Sequence, residues 1–228
     1  MATEDTTEDI VSMLVKDLKP IVPLAPPNVR AWRWALVASV GGGLVVAFLG
    51  LRPDFVIAAG TLAFQAHTTL VAVAMVMAAR AALVLAVPGE ELTSWRGWTP
   101  IAAVAGWALW LSSELGAAAT GSAAAWTVDA GWGCVAKSIA TAAAPGAALF
   151  VMLSRGATLD LYRSVMFAAL ASAGVGALGV EFLCPKIEAM HLIVWHLGPV
   201  MVWPVAAGLA GAPLFAMWIR RRDAYGLR

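Results

Sequence analysis

The chain has 228 residues, of which 61% are hydrophobic and 13% charged, with a net charge of +1. Soluble domains carry about a quarter charged residues, so this composition argues against a soluble enzyme and against a disordered chain. The near-zero net charge offers no basic field for nucleic acid. Two cysteines allow one disulfide and cannot close a four-ligand zinc site alone. Eleven Trp against two Tyr fit interfacial aromatic anchors of a membrane protein.

Residues 1–31 are the one substantial polar region. They lack an apolar run behind a basic start, so no cleavable signal peptide is expected. Ile10, Leu14, Leu18 and Ile21 recur at helical spacing, joined by Val11 and Met13, with Lys16, Asp17 and Lys19 on other faces. Thr6 or Thr7 is a candidate cap, with Glu8 and Asp9 in the first turn. The expectation is a short amphipathic helix, ended by Pro20, Pro23, Pro26 and Pro27, which form a stiff linker. Such a helix is marginal alone in water. Its apolar face needs a partner groove, a lipid surface or the protein's own loops.

Six apolar stretches of bilayer length follow: about Trp32–Leu51, Phe55–Val87, Trp98–Leu115, Trp132–Leu153, Leu161–Leu183 and Ala189–Ile219. The second exceeds the bilayer's need and either tilts or starts outside the hydrocarbon. The third ends at Glu114. The fold class is therefore all-α, an integral membrane bundle of six spans (32–219), a cytoplasmic N-terminal segment (1–31) and a basic tail (220–228). With the N-terminus inside, Lys16, Lys19, Arg30, Arg33, Arg80, Arg96, Arg155, Arg163, Arg220, Arg221, Arg222 and Arg228 fall on the inner side. Only Arg52, Lys137 and Lys186 fall outside. This is a positive-inside pattern with both termini cytoplasmic. Small residues at Gly174-Val175-Gly176 and Gly208-Leu209-Ala210-Gly211 permit close helix approach. Kinks are expected at Pro145, Pro199, Pro204 and Pro213.

In this topology Cys134, at the start of span four, and Cys184, after span five, meet at the outer boundary. Three readings are open: a static disulfide, a reversible thiol pair, or two unrelated small apolar residues. Lys137 and the helix N-terminus are positioned to activate Cys134. His191 is placed to join the thiols in holding a soft metal, but two Cys and one His leave that set incomplete. His191 and His196, five residues apart, fall on different faces of an α-helix. His67 and His196 lie at similar depth, which raises a b-type haem as an alternative, a small membrane redox protein with haem or quinone. Glu114, Asp129, Glu181 and Glu188 read as solvated outer-loop acids. No catalytic triad, phosphate loop or zinc-protease motif is present, so no enzyme activity, cofactor or metal is expected. No internal repeat supports a transporter.

The segment Leu14-Val15-Lys16-Asp17-Leu18-Lys19-Pro20-Ile21-Val22-Pro23-Leu24-Ala25-Pro26-Pro27 resembles the N-terminal signature of NrsF-type membrane proteins. Trp132-Gly133-Cys134 resembles their first cysteine block, and Cys184-Pro185 with Trp195-His196 the second. The resemblance covers almost the whole chain. It implies a bacterial inner-membrane anti-sigma factor that holds an extracytoplasmic-function (ECF) sigma factor and releases it under stress. It further implies sigma-factor contact through the N-terminal helix (Ile10, Leu14, Asp17, Leu18, Pro20) and sensing by Cys134 and Cys184. The implied partners are the sigma factor and membrane lipid, without direct nucleic-acid contact.

Overall fold

The computed structural model describes residues 4–16, 23–90, 92, 94–119, 130–186 and 188–224. Every regular element among them is helical. The helices are α1 (Glu4–Lys16), α2 (Pro27–Leu49), α3 (Phe55–Ala59), α4 (Leu62–Val84), α5 (Ser94–Ala119), α6 (Trp132–Ser154) and α7 (Leu161–Leu183). A last helical run follows: α8 (Ala189–His191), a π-helical turn (Leu192–Leu197), α9 (Gly198–Ala206), a second π turn (Ala207–Gly211) and α10 (Ala212–Ala224).

Among the described residues, five stretches are long and apolar enough to cross a membrane: α2, α4, α6, α7 and the run Ala189–Arg222. The expected third span lies within the 26-residue α5. The expected long second span divides into α3 and α4. The break is at Thr61, whose hydroxyl accepts a hydrogen bond from the Phe64 N–H at 3.2 Å and caps α4.

α7 is the central helix. It packs on α2, α4, α6 and α9 and buries a continuous run from Ala169 to Ala177. Small residues make this contact possible. A Cβ on Gly176 would overlap the Ser138 hydroxyl and sit 2.7 Å from its carbonyl oxygen. A Cβ on Gly179 would lie 2.5 Å from the Thr141 side chain. Ridges of this kind let α6 and α7 touch backbone to backbone.

The prolines act in different ways. Pro145 stays inside α6, and its carbonyl accepts the indole N–H of fully buried Trp34 at 3.0 Å. In the last run the helix stays continuous but widens. Gly198 N–H bonds back to Ile193 O and Ala212 N–H to Ala207 O, five residues rather than four. Pro199 and Pro213 follow directly, and their missing N–H groups leave the preceding turns free to re-pair in this wider form.

Basic side chains hold helix ends at both ends of the bundle. At one end Arg30 donates to the Met152 carbonyl, Arg222 to Ser154 O at 2.7 Å, and Arg80 to Asn28 Oδ1 at 2.6 Å. Arg30 and Arg222 thereby satisfy carbonyls at the C-terminus of α6, a favourable place for cations. At the other end Arg52 and Lys137 reach the C-terminus of α7. Arg30, Arg80 and Arg222 thus lie at the end opposite Arg52 and Lys137.

α1 begins at Glu4, so Thr6 and Thr7 lie inside it rather than capping it. Residues 7–16 are all exposed, with Ile10 52% and Leu14 65% accessible. The amphipathic helix therefore does not bury its apolar face on its own chain. Asp17, Leu18 and Pro20 lie outside the described residues.

Candidate functional site

Cys134 sits in the first turn of α6, where its N–H bonds to Gly131 O at 2.8 Å. Cys184 is the C-cap of α7, its N–H bonded to Val180 O at 2.8 Å. The two are free thiols with sulfurs 3.4 Å apart. The reading of two unrelated cysteines is therefore set aside. His191 Nε2 lies 3.5 Å from the Cys134 sulfur and 3.6 Å from that of Cys184. One ring nitrogen of His196 joins them, all four donor atoms lying within 4.8 Å of one another.

His196 corrects the expectation drawn from its spacing. On an α-helix, five residues advance about 1.4 turns, which places His191 and His196 on different faces. The π turn between them has i→i+5 pairing, which brings residues five apart onto one side. Their ring centroids are 5.5 Å apart. The sequence signal was present in Pro199, which disfavours regular pairing in the preceding turn, but the pattern of apolar residues does not reveal a π turn.

Glu181 is a second correction. It lies in α7, not in a solvated loop, and its side chain is 13% exposed. Oε1 is 3.7 Å from His67 Nδ1 and Oε2 is 3.9 Å from His196 Nδ1. Trp107 on α5 donates its indole N–H to His67 Nε2 at 2.9 Å. Both His67 nitrogens thus face protein groups, and a carboxylate stands between the two imidazoles. This arrangement gives the bis-histidine haem reading no support. Glu188 is exposed; Asp129 lies outside the described residues, and the side chain of Glu114 does too.

Arg52 was legible only as an outer charge. Its guanidinium forms a two-pronged pair with Asp54 at 2.7 and 2.8 Å and also donates to Pro185 O at 3.3 Å. Its own N–H bonds to Phe182 O at 2.9 Å. The α2–α3 loop therefore clasps the segment that carries Cys184. The hydrogen bond to Asp54 raises the Arg52 pKa despite burial, and the same pairing lowers that of Asp54.

Burial pushes the Cys184 thiol up, but the His196 imidazole, the Lys186 backbone and the Cys134 thiol outweigh it. Together they hold Cys184 at about 7, below its ordinary 9.0. A thiol near this value is substantially thiolate at neutral pH, the form that reacts with oxidants and binds metals. Lys137, expected to serve Cys134, points its ammonium at Leu183 O, 3.5 Å away.

One family model matches residues 14–218, most of the chain, and is described as NrsF, negative regulator of sigma F. Comparison with curated proteins and with solved structures finds no match.

Proposed function

This chain belongs to the NrsF family, and on that premise we propose that it is an inner-membrane anti-sigma factor of bacteria. It holds an ECF-type sigma factor on its basic, cytoplasmic side and releases it when stress is registered at Cys134 and Cys184 on the periplasmic side. The bundle crosses the membrane six times, with α5 as the third span and both termini in the cytoplasm.

The observation that carries this reading is the separation of two unlike surfaces. The thiols gather at one end of the bundle. The helix with an uncovered apolar face joins the chain next to the arginine-rich other end. A 23-residue helix places these ends about 35 Å apart, enough to cross the hydrocarbon. Ile10 and Leu14 supply the apolar contacts for the sigma factor, with Asp17, Leu18 and Pro20 continuing the same signature.

Release requires that the two thiol states differ in affinity for the sigma factor. α6 and α7 are the elements placed to carry that difference, because each bears one cysteine and each reaches the basic end. Leu14→Asp is expected to weaken sigma-factor capture by the intact protein at least about tenfold. Unchanged capture refutes the docking helix. Replacing Cys134 and Cys184 by Ser is expected to abolish stress-driven induction of the target genes; normal induction sinks the sensing role.

A further inference from the structure

We infer that Cys134, Cys184, His191 and His196 form a four-donor site for a thiophilic d10 metal ion, Zn2+ or a softer congener, with Glu181 as the residue that positions His196. The inference deepens the proposed function by naming the chemistry that the thiols respond to.

Geometry is the first support. Metal–sulfur and metal–nitrogen bonds of about 2.3 and 2.0–2.1 Å in a tetrahedron give edges of about 3.8 Å between sulfurs and about 3.5 Å from sulfur to nitrogen. The observed separations are 3.4 Å for the sulfurs and 3.5 and 3.6 Å from them to His191 Nε2. These three donors need shifts of only a few tenths of an ångström to receive an ion, and the His196 donor, within 4.8 Å of the others, closes the set by a larger move.

His196 is the second. It is 4% exposed, and neither of its ring nitrogens has a hydrogen-bond partner among the described residues. A buried polar group in that condition is costly. A metal ion satisfies one of these nitrogens, and the Glu181 carboxylate stands on the side of the other.

The direction of the protons is the third. Trp107 N–H can only donate, so His67 Nε2 accepts and its proton sits on Nδ1. That N–H faces Glu181 Oε1, and Glu181 Oε2 faces His196 Nδ1. The negative charge of that carboxylate, 3.9 Å away, favours the proton of His196 on Nδ1 and leaves the lone pair of Nε2 for the metal. Carboxylates behind ligating histidines orient them in this way in metalloproteins. A thiol that still carries its proton loses it when the sulfur–metal bond forms, so a divalent ion enters as up to two protons leave. Two thiolates and two neutral imidazoles then neutralise the ion at the end of an apolar bundle.

The test uses the full chain, purified in detergent, reduced and freed of metal with a chelator. Titration with Co2+ is followed by its tetrahedral d–d bands and thiolate charge-transfer band, then by displacement with Zn2+. The expected result is one ion bound and at most two protons released per chain. His196→Gln keeps the charge-transfer band but weakens binding at least tenfold and alters the d–d bands. Glu181→Gln weakens binding about 10–100-fold with ligand bands like those of the unmodified protein. Helical circular dichroism and gel-filtration position establish that each variant is folded; if His196→Gln is not, His196→Asn and His191→Gln serve instead. Binding that needs the cysteines but is indifferent to both histidines overturns the inference, as does the absence of stoichiometric binding. These titrations are separate from sigma release. Metal binding of the expected kind with normal induction in the double Ser variant sinks the sensing role alone. Cysteine-dependent induction without histidine-dependent binding sinks the metal site alone.

Discussion

Gly131 offers a strict test of how the thiol end is assembled. Its Cα rests against the indole of Trp195, and a Cβ there would lie 2.5 Å from ring atoms Cδ1 and Cδ2, against an ordinary contact of at least 3.4 Å. Cγ lies nearer still, so in Gly131→Ala the loop or the ring must move by at least about 0.9 Å, and a rigid indole wedged against Trp132 cannot yield by rotamer change alone. Gly131 O anchors the first turn of α6 through the Cys134 N–H, and Trp195 adjoins His196 in the π turn. The displacement thus separates Cys134 from the histidines by a comparable distance, far beyond the ~0.2 Å that a metal site tolerates. Overpacking of this kind costs about 1–3 kcal/mol, and each kcal/mol lowers the midpoint of a chain this size by about 2–4 °C. Gly133→Ala is the matched control, since nothing lies within 4 Å of its added methyl group. Thermal unfolding in detergent and the yield of oxidant-induced Cys134–Cys184 cross-link should fall in Gly131→Ala and hold in Gly133→Ala. Equal behaviour of the two variants refutes the packing argument.

Gly176→Ala should loosen α6 from α7 at a cost of about 1–3 kcal/mol, because the added methyl meets the fixed Ser138 carbonyl at 2.7 Å. Gly43→Ala, with open space around it, should be neutral or gain up to about 1 kcal/mol from helix propensity; denaturant titration separates the two. In metal-free protein, alkylation of Cys184 followed by peptide mapping should rise with pH to a midpoint near 7. Because folding lowers this pKa, the associated stability is present above the unfolded value of about 9 and is lost as pH falls through about 7. A midpoint near 9 contradicts the environment assigned to the thiol.

The long elements were legible because a bilayer-length apolar run is a coarse, robust signal. Leu161–Leu183 coincides with its helix, and Trp132–Leu153 with all but one residue of α6. The positions of Cys134 and Cys184 followed from topology, since consecutive spans must return to the same boundary. Three partners did not follow. His196 was hidden by a change of helical period that composition does not encode. Glu181 looks like a loop acid one turn from the end of a helix, and only the packing of α4 and the last run around it makes it buried. Arg52 is separated from Pro185 by 133 residues, a contact that only the assembled bundle creates.

The arginine clasp on α6 has a consequence for the chain ends. Arg30, in the first turn of α2, and Arg222, near the end of α10, hold carbonyls only two residues apart, Met152 and Ser154. The first and last long helices are thus pinned to one end of α6. An axial shift of α6 begun at Cys134 would therefore reach Arg30 and Arg222 together at its far end. Dyes placed near positions 30 and 222 would report the motion of that one helix end, and a change at either arginine would be felt by both the first and the last helix.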